Sequence, residues 1–286
     1  MQEITSGLQF PEGPIAMPDG SVILVEIARG TLSHVTPDGR IEVIADLGGG
    51  PNGAAIGPDG AVYVCNNGGF DWHVSGGARY PGDKATDYSG GRIERVDLVI
   101  GKFEVLYEAC NGEPLIGPND IVFDAQGGFW FTDLGKSYGR LKDRGAVYYA
   151  KTDGSHIEQM LFPIETPNGI SLSPDESRLY VAETQGARLW GFDVVAPGKL
   201  GPPAATSSRT FIASPSGLYF FDSMAVEADG TVCVATIVNG GISRINPDTG
   251  AIAHVATDDP MTTNICFGDD DLKTAYITLS STGRLV

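Results

Sequence analysis

The chain has 286 residues, 42% of them hydrophobic, and 19 Lys and Arg against 36 Asp and Glu give a formal net charge of −17. That acid excess argues against nucleic acid or anionic membrane as partners, because both recruit cationic surface. No apolar run approaches the roughly 18 residues that signal a membrane span, and the start MQEITSGLQF lacks the basic and apolar segments of a secretory signal, so a cytoplasmic protein is expected.

Along the chain one short pattern recurs six times, each copy opening on an acid or an amide. The copies are EGPIAMPDGSVILVE from Glu12, NGAAIGPDGAVYVCN from Asn52, NDIVFDAQGGFWFTD from Asn119, NGISLSPDESRLYVAE from Asn168, DSMAVEADGTVCVAT from Asp222 and NICFGDDDLKTAYIT from Asn264. Runs such as VILVE, GFWFTD and RLYVAE are alternating or continuously apolar over a strand's length, with no helical period. Asp-Gly pairs at Asp19-Gly20, Asp38-Gly39, Asp59-Gly60, Asp153-Gly154 and Asp229-Gly230 supply the positive φ of tight hairpins. In the first unit the strands are expected near 13–17, 21–27, 31–36 and 40–46. A strand-only repeat of roughly 40–50 residues is the signature of a β-propeller with one blade per copy. The expectation is therefore an all-β, six-bladed β-propeller with four-stranded antiparallel blades, a single domain over 1–286. The last blade is short of an outer strand, and Gln2 to Ser6 are expected to fill that place and close the ring.

One interval is too long. Residues 66–91, NNGGFDWHVSGGARYPGDKATDYSGG, follow the second strand of their blade and are either a surface insertion or a lid presenting Trp72, His73, Arg79 and Tyr80 to a ligand. His73 is the one histidine with a candidate role in proton transfer or substrate contact. His34, His156 and His254 fall in outer-strand or hairpin settings. Cys65, Cys110, Cys233 and Cys266 show no metal-ligand spacing and are expected to be reduced. Gly48 to Gly53 satisfies GxGxxG, but a strand follows instead of the helix a dinucleotide site needs. There is no GxSxG for a serine nucleophile. Asp269, Asp270 and Asp271 do not have EF-hand spacing and are expected in a turn.

Pseudo-symmetry carries the six opening residues to one pole of the disc. Two carboxylates, Glu12 and Asp222, among amides from Asn52, Asn119, Asn168 and Asn264 suit a hard cation. An Asn at any one of these positions has an equally good explanation as a turn cap. Two desolvated carboxylates facing each other do not, because they are costly without a cation.

The runs FPEGP (Phe10 to Pro14), Asn119-Asp120, TPNGISLSPDESRLYVAE (Thr166 to Glu183), the segment Asp222 to Val226 and TTNICFGDDDLKTAYITLSSTGRL (Thr262 to Leu285) resemble the gluconolactonase/regucalcin family along nearly the whole chain. The family is itself similar to the calcium-dependent fluorophosphatase and the paraoxonases. The resemblance implies one divalent cation on the axis, held by Glu12, Asn168 and Asp222, with Asn119 touching either the metal or the substrate. Calcium is the first expectation, with magnesium, manganese, zinc or ferrous iron as alternatives. It also implies hydrolysis of a small-molecule lactone or ester, with Asp222 as base or nucleophile. The remaining alternatives are another ester or phosphotriester hydrolysis in the same site, or a non-catalytic propeller binding calcium or a small ligand. Two departures bear on the substrate. Gly117 stands where regucalcin-type lactonases tend to carry Arg, and Phe221-Asp222-Ser223 replaces Pro-Asp-Gly. Together with an aromatic lid, they point to a less hydroxylated, more apolar ring than gluconolactone.

Overall fold

The computed structural model describes residues 1–201, 209–269 and 271–286, so Asp270 of the expected turn lies outside the described residues. Among those described there is no helix, hence none long and apolar enough to cross a membrane. Six antiparallel sheets follow one another along the chain. Their first strands are Pro11–Ala16, Pro51–Ile56, Pro118–Phe123, Pro167–Leu172, Phe220–Val226 and Thr262–Gly268. Each touches the next and the last touches the first, which closes the six blades into a ring. Blade 1 consists of Pro11–Ala16, Val22–Glu26, Thr31–Val35 and Ile41–Asp46, within two residues of the sequence expectation.

The apolar runs are continuous because both faces of a blade are covered. In Val62–Asn66, Val62 and Val64 pack with Val25 and Leu32 of blade 1, while Tyr63 and Cys65 pack with Phe129 and Phe131 of blade 3. Strand alternation sends successive side chains to opposite neighbours. Six such clusters fill the six spaces between adjacent blades, so the core is a set of radial layers and not one central mass. The Asp-Gly turns behave as expected: Gly20 and Gly60 take φ of +80° and +78°. The cysteines are free thiols, with Cys65, Cys110 and Cys233 buried.

Ring closure uses the N-terminus. The C-terminal segment gives blade 6 only Thr262–Gly268, Thr274–Leu279 and Arg284–Leu285, and Thr5–Ser6 pairs with the last of these as the outer strand. Ile4 N donates to Leu285 O at 2.9 Å, and Thr5 Oγ1 donates to Gly39 O at 2.6 Å in blade 1. The 66–91 insertion is a hairpin of Phe70–Ser75 and Ala78–Lys84. Ala85 N bonds Gly69 O across its base at 3.3 Å, and Arg79 N near its tip reaches Ser281 O of blade 6 at 2.9 Å. A second, smaller hairpin, Ser137–Tyr138 with Leu141–Lys142, leaves blade 3 on the same face and was not foreseen from sequence.

Candidate active site

Each blade breaks its ladder at the same place. Register skips between Glu12 and Ile15, Pro51 and Ala54, Pro118 and Ile121, Pro167 and Ile170, Phe221 and Met224, and Thr262 and Asn264. A bulge re-aims side chains away from the regular pleat. The opening residues therefore sit within the first strands, at the bulges, and not ahead of the strands as the repeat suggested. Glu12, Asn52, Asn119, Asn168 and Asp222 line one cavity of about 190 Å³ where those strands converge.

In blades 1 to 4 the loop feeding the bulge is anchored by the last residue of the second strand in the same blade. Glu26 accepts from Gln9 N at 2.7 Å, and Asn66 Oδ1 accepts from Gly50 N at 2.9 Å. Asp133 accepts from Ile116 N and Gly117 N at 2.8 and 2.7 Å, and Glu183 from Glu165 N at 3.3 Å. These are the polar residues ending VILVE, VYVCN, GFWFTD and RLYVAE. Glycine after the opening residue lets neighbouring strands meet. A Cβ on Gly53 would lie 2.4 Å from Asn119 O, and one on Gly169 would lie 2.6 Å from Asp222 O. Blade 3 has Asp120 at that position instead, blade 5 Ser223 and blade 6 Ile265.

Three carboxylates are thereby buried together. Glu12, 2% exposed, accepts from Gly13 N at 2.7 Å and from Asn264 Nδ2 at 2.6 Å. Loss of water outweighs these bonds and pushes its pKa up to about 7. Asp120 accepts from Ile121 N at 3.0 Å and Ile170 N at 3.4 Å. Desolvation first, and the charge of Glu12 second, raise its pKa to about 8. Asp222 is held well above the usual carboxylate range by desolvation, then by Glu12, with Asp120 adding to the repulsion. The amides are less committed. Asn119 Oδ1 is buried with no hydrogen-bond partner among the described residues. Asn168 donates from Nδ2 to Thr184 Oγ1 at 3.1 Å, while its Oδ1 receives Ser223 Oγ only at 3.5 Å. Asn264 differs: its Oδ1 takes Ile265 N at 2.7 Å and its amide holds Glu12. Among the described residues no group of three or more His, Cys, Asp or Glu is arranged to hold a metal; any cation here would rest on carboxylates and amides mixed.

Above this polar floor the wall is largely apolar, with Phe10, Ile27, Phe70, Pro81, Leu134, Ile237 and Met261. Phe10 and Thr166, each two residues before an opening residue, have φ of +59° and +41° and also line the cavity. Non-glycine residues in this region carry strain that clusters at functional sites.

A family model described as the SMP-30/gluconolactonase/LRE-like region matches residues 10–281. The chain belongs to that family. A relative from Staphylococcus saprophyticus named lactonase drp35 is 30% identical over 251 residues, 87% of this chain and 70% of that protein. Among solved structures, a gluconolactonase from Xanthomonas campestris superposes with a TM-score of 0.76 at 23% identity, covering 99% of this chain and 86% of its own. A regucalcin from Agrobacterium tumefaciens, described as a calcium-binding protein, gives 0.74 at 19% identity, covering 97% and 89%. At these identities the structural likeness speaks to the SMP-30-like propeller fold alone.

Within this SMP-30-like propeller, Glu12, Asn119, Asn168 and Asp222 share the cavity, but His73 does not line it. His73 is exposed and sits opposite Tyr80 in the hairpin, while Phe70, Pro81 and Gly82 line the cavity. Trp72 instead packs on Phe10, ring centroids 5.0 Å apart, with Arg79 5.8 Å from its ring centre. Beneath the hairpin, Lys136 is 1% exposed, donating to Asn67 Oδ1 at 2.8 Å and Gly69 O at 2.9 Å with Phe70 over its ammonium. Sequence reasoning missed Asp120 as a member of the acid cluster, although it is the second residue of the Asn119-Asp120 pair that carries part of the family resemblance.

Proposed function

We propose that this protein hydrolyses a lactone in the axial cavity with the help of one divalent cation, calcium in the first instance. The observation that carries this reading is the burial of Glu12 and Asp222 in one cavity with their pKa values raised, which is costly without a positive charge between them. The donor set fits a hard cation: two carboxylates, the unpartnered Oδ1 of Asn119 and the weakly engaged Oδ1 of Asn168. Membership of the family and similarity to a protein named lactonase support the reaction class, and the calcium-binding neighbour supports the choice of ion.

When bound, such a cation supplies Lewis-acid polarisation of the lactone carbonyl. The protein's own groups do the rest. Asp222 takes the proton from the attacking water and returns it to the ring oxygen as the ester C–O bond breaks, leaving a hydroxy acid. Burial, and next the charge of Glu12, hold its carboxyl above the usual carboxylate range when no cation is bound. Asn264 and Gly13 N orient Glu12, and Thr184 orients Asn168. The apolar wall excludes water and favours a ring with few hydroxyls.

The test is a hydrolysis panel of sugar, alkyl and aryl lactones, run before and after chelation and after re-addition of calcium, magnesium or manganese. Expected is turnover that disappears with the metal, returns with it, and is fastest on alkyl or aryl rings. Lactone hydrolysis indifferent to exhaustive chelation would overturn the metal dependence, and gluconolactone as the best substrate would overturn the apolar preference.

A further inference from the structure

The cavity wall carries a single cationic side chain among the described residues, Lys142. It is presented by the small blade 3 hairpin, in register with Ser137, which also lines the cavity. The hairpin is fixed: Asp143 N donates to Lys136 O at 2.9 Å, Tyr138 Oη to Asp143 Oδ1 at 2.9 Å, and Gly139 N to Asp83 of the larger hairpin at 2.9 Å. The Lys142 side chain is only 27% exposed, and burial depresses its proton affinity, against which Glu165 pulls. That partner is poor compensation. Glu165 stands 3.8 Å away with its own side chain 58% exposed, and a loose, solvated ion pair of that kind is worth little.

A partly desolvated lysine on an apolar wall, in a chain of net charge −17, needs an explanation beyond surface pairing. Ser137 Oγ has no hydrogen-bond partner among the described residues and faces the same cavity. No cation can come from Gly117, because a Cβ there would lie 2.7 Å from Gly135 O at the root of the same hairpin.

We propose that the substrate is a lactone carrying a carboxylate on an otherwise apolar frame, with that carboxylate seated on Lys142 Nζ and Ser137 Oγ. This rests on the lactonase reading and adds the substrate's charge to it. Lys142 is a specificity-determining residue, separate from the acids at the cavity floor.

Two readouts test it on the metal-loaded protein. Hydrolysis is measured on pairs of lactones with the same ring and chain, one ending in a carboxylate and the other in its methyl ester. Binding of the corresponding non-hydrolysable lactam pair is measured by calorimetry. Wild type is expected to favour the carboxylate member of each pair by about 10- to 100-fold in KM or Kd, the span of one charge-assisted hydrogen-bonded contact. In Lys142→Met that ratio collapses toward one, Lys142→Arg retains most of it, and Glu165→Gln raises it by freeing Lys142. A wild-type ratio near one, or a ratio unchanged in Lys142→Met, would overturn the proposal while leaving lactone hydrolysis standing. Lactam discrimination that depends on Lys142, without turnover of any lactone, would uphold the anion site and remove the lactonase reading.

Discussion

Asp222 is buried beside Glu12 and Asp120, so its chemistry depends on what neutralises its neighbours. Asp222→Asn is expected to lower kcat by about 10²–10⁴ with circular dichroism unchanged, as for loss of a general base. Near-wild-type turnover would hand proton transfer to another group, and His73→Ala would then be the variant to measure. From its exposed position off the cavity wall, His73→Ala is expected to stay within about threefold of wild type, well below the effect of losing a catalytic acid or base. The acids also set a pH dependence. Folding raises Glu12 from 4.5 to about 7 and Asp120 from 3.8 to about 8, so the folded state holds more protons across that window. Without cation, the stability they contribute is complete at about pH 4 and is lost as pH climbs toward 8. With saturating calcium the trend reverses, because the ion competes with those protons. Melting curves at pH 5, 6, 7 and 8, chelated and calcium-loaded, check both signs; a chelated protein that melts higher at pH 8 than at pH 5 contradicts the assignment. Glu12 and Asp222 were legible because the repeat fixes their phase. Asp120 was not, since period-two alternation sends consecutive residues to opposite faces, and it is at the bulge between Pro118 and Ile121 that Asn119 and Asp120 are both buried.

The two hairpins on the active face give this propeller its own pocket. The larger one begins and ends at adjacent points, Gly69 and Ala85, so residues 70–84 can be excised with a short glycine linker. The excised protein is expected to fold and bind calcium, but with KM raised about tenfold or more, because Phe70, Pro81 and Gly82 are lost from the wall. Unchanged KM in steady-state assays would make the hairpin a surface ornament. The sequence showed this insertion as aromatic and long for its blade, yet not which residues reach the cavity. Strand register decides that, and it turns Trp72 onto Phe10 and leaves His73 outside. The smaller hairpin was illegible because each of its strands is two residues long, too short for any pattern.

Across the whole molecule, the fold was readable because one blade's requirements recur along the chain: an opening polar residue and an apolar second strand six times, with an Asp-Gly turn between first and second strands in blades 1, 2 and 5. Closure was readable for the same reason, as the last copy lacks its fourth strand. Removal of residues 1–6 strips Thr5–Ser6 from Arg284–Leu285 and the Thr5 bond to Gly39 from blade 1. That truncation is expected to cost about 1–3 kcal/mol by denaturant titration and to expose an edge prone to association; an unchanged midpoint would show that the ring closes without it. The most direct test of the account is a calorimetric titration of the chelated protein with calcium at pH 7, run in two buffers of different ionisation heat alongside lactone hydrolysis. One equivalent is expected to bind with release of protons from the acids at the cavity floor, and activity is expected to rise in step with occupancy and to vanish in Glu12→Gln. Absence of binding at millimolar calcium, magnesium and manganese, or binding that leaves hydrolysis unchanged, would contradict it.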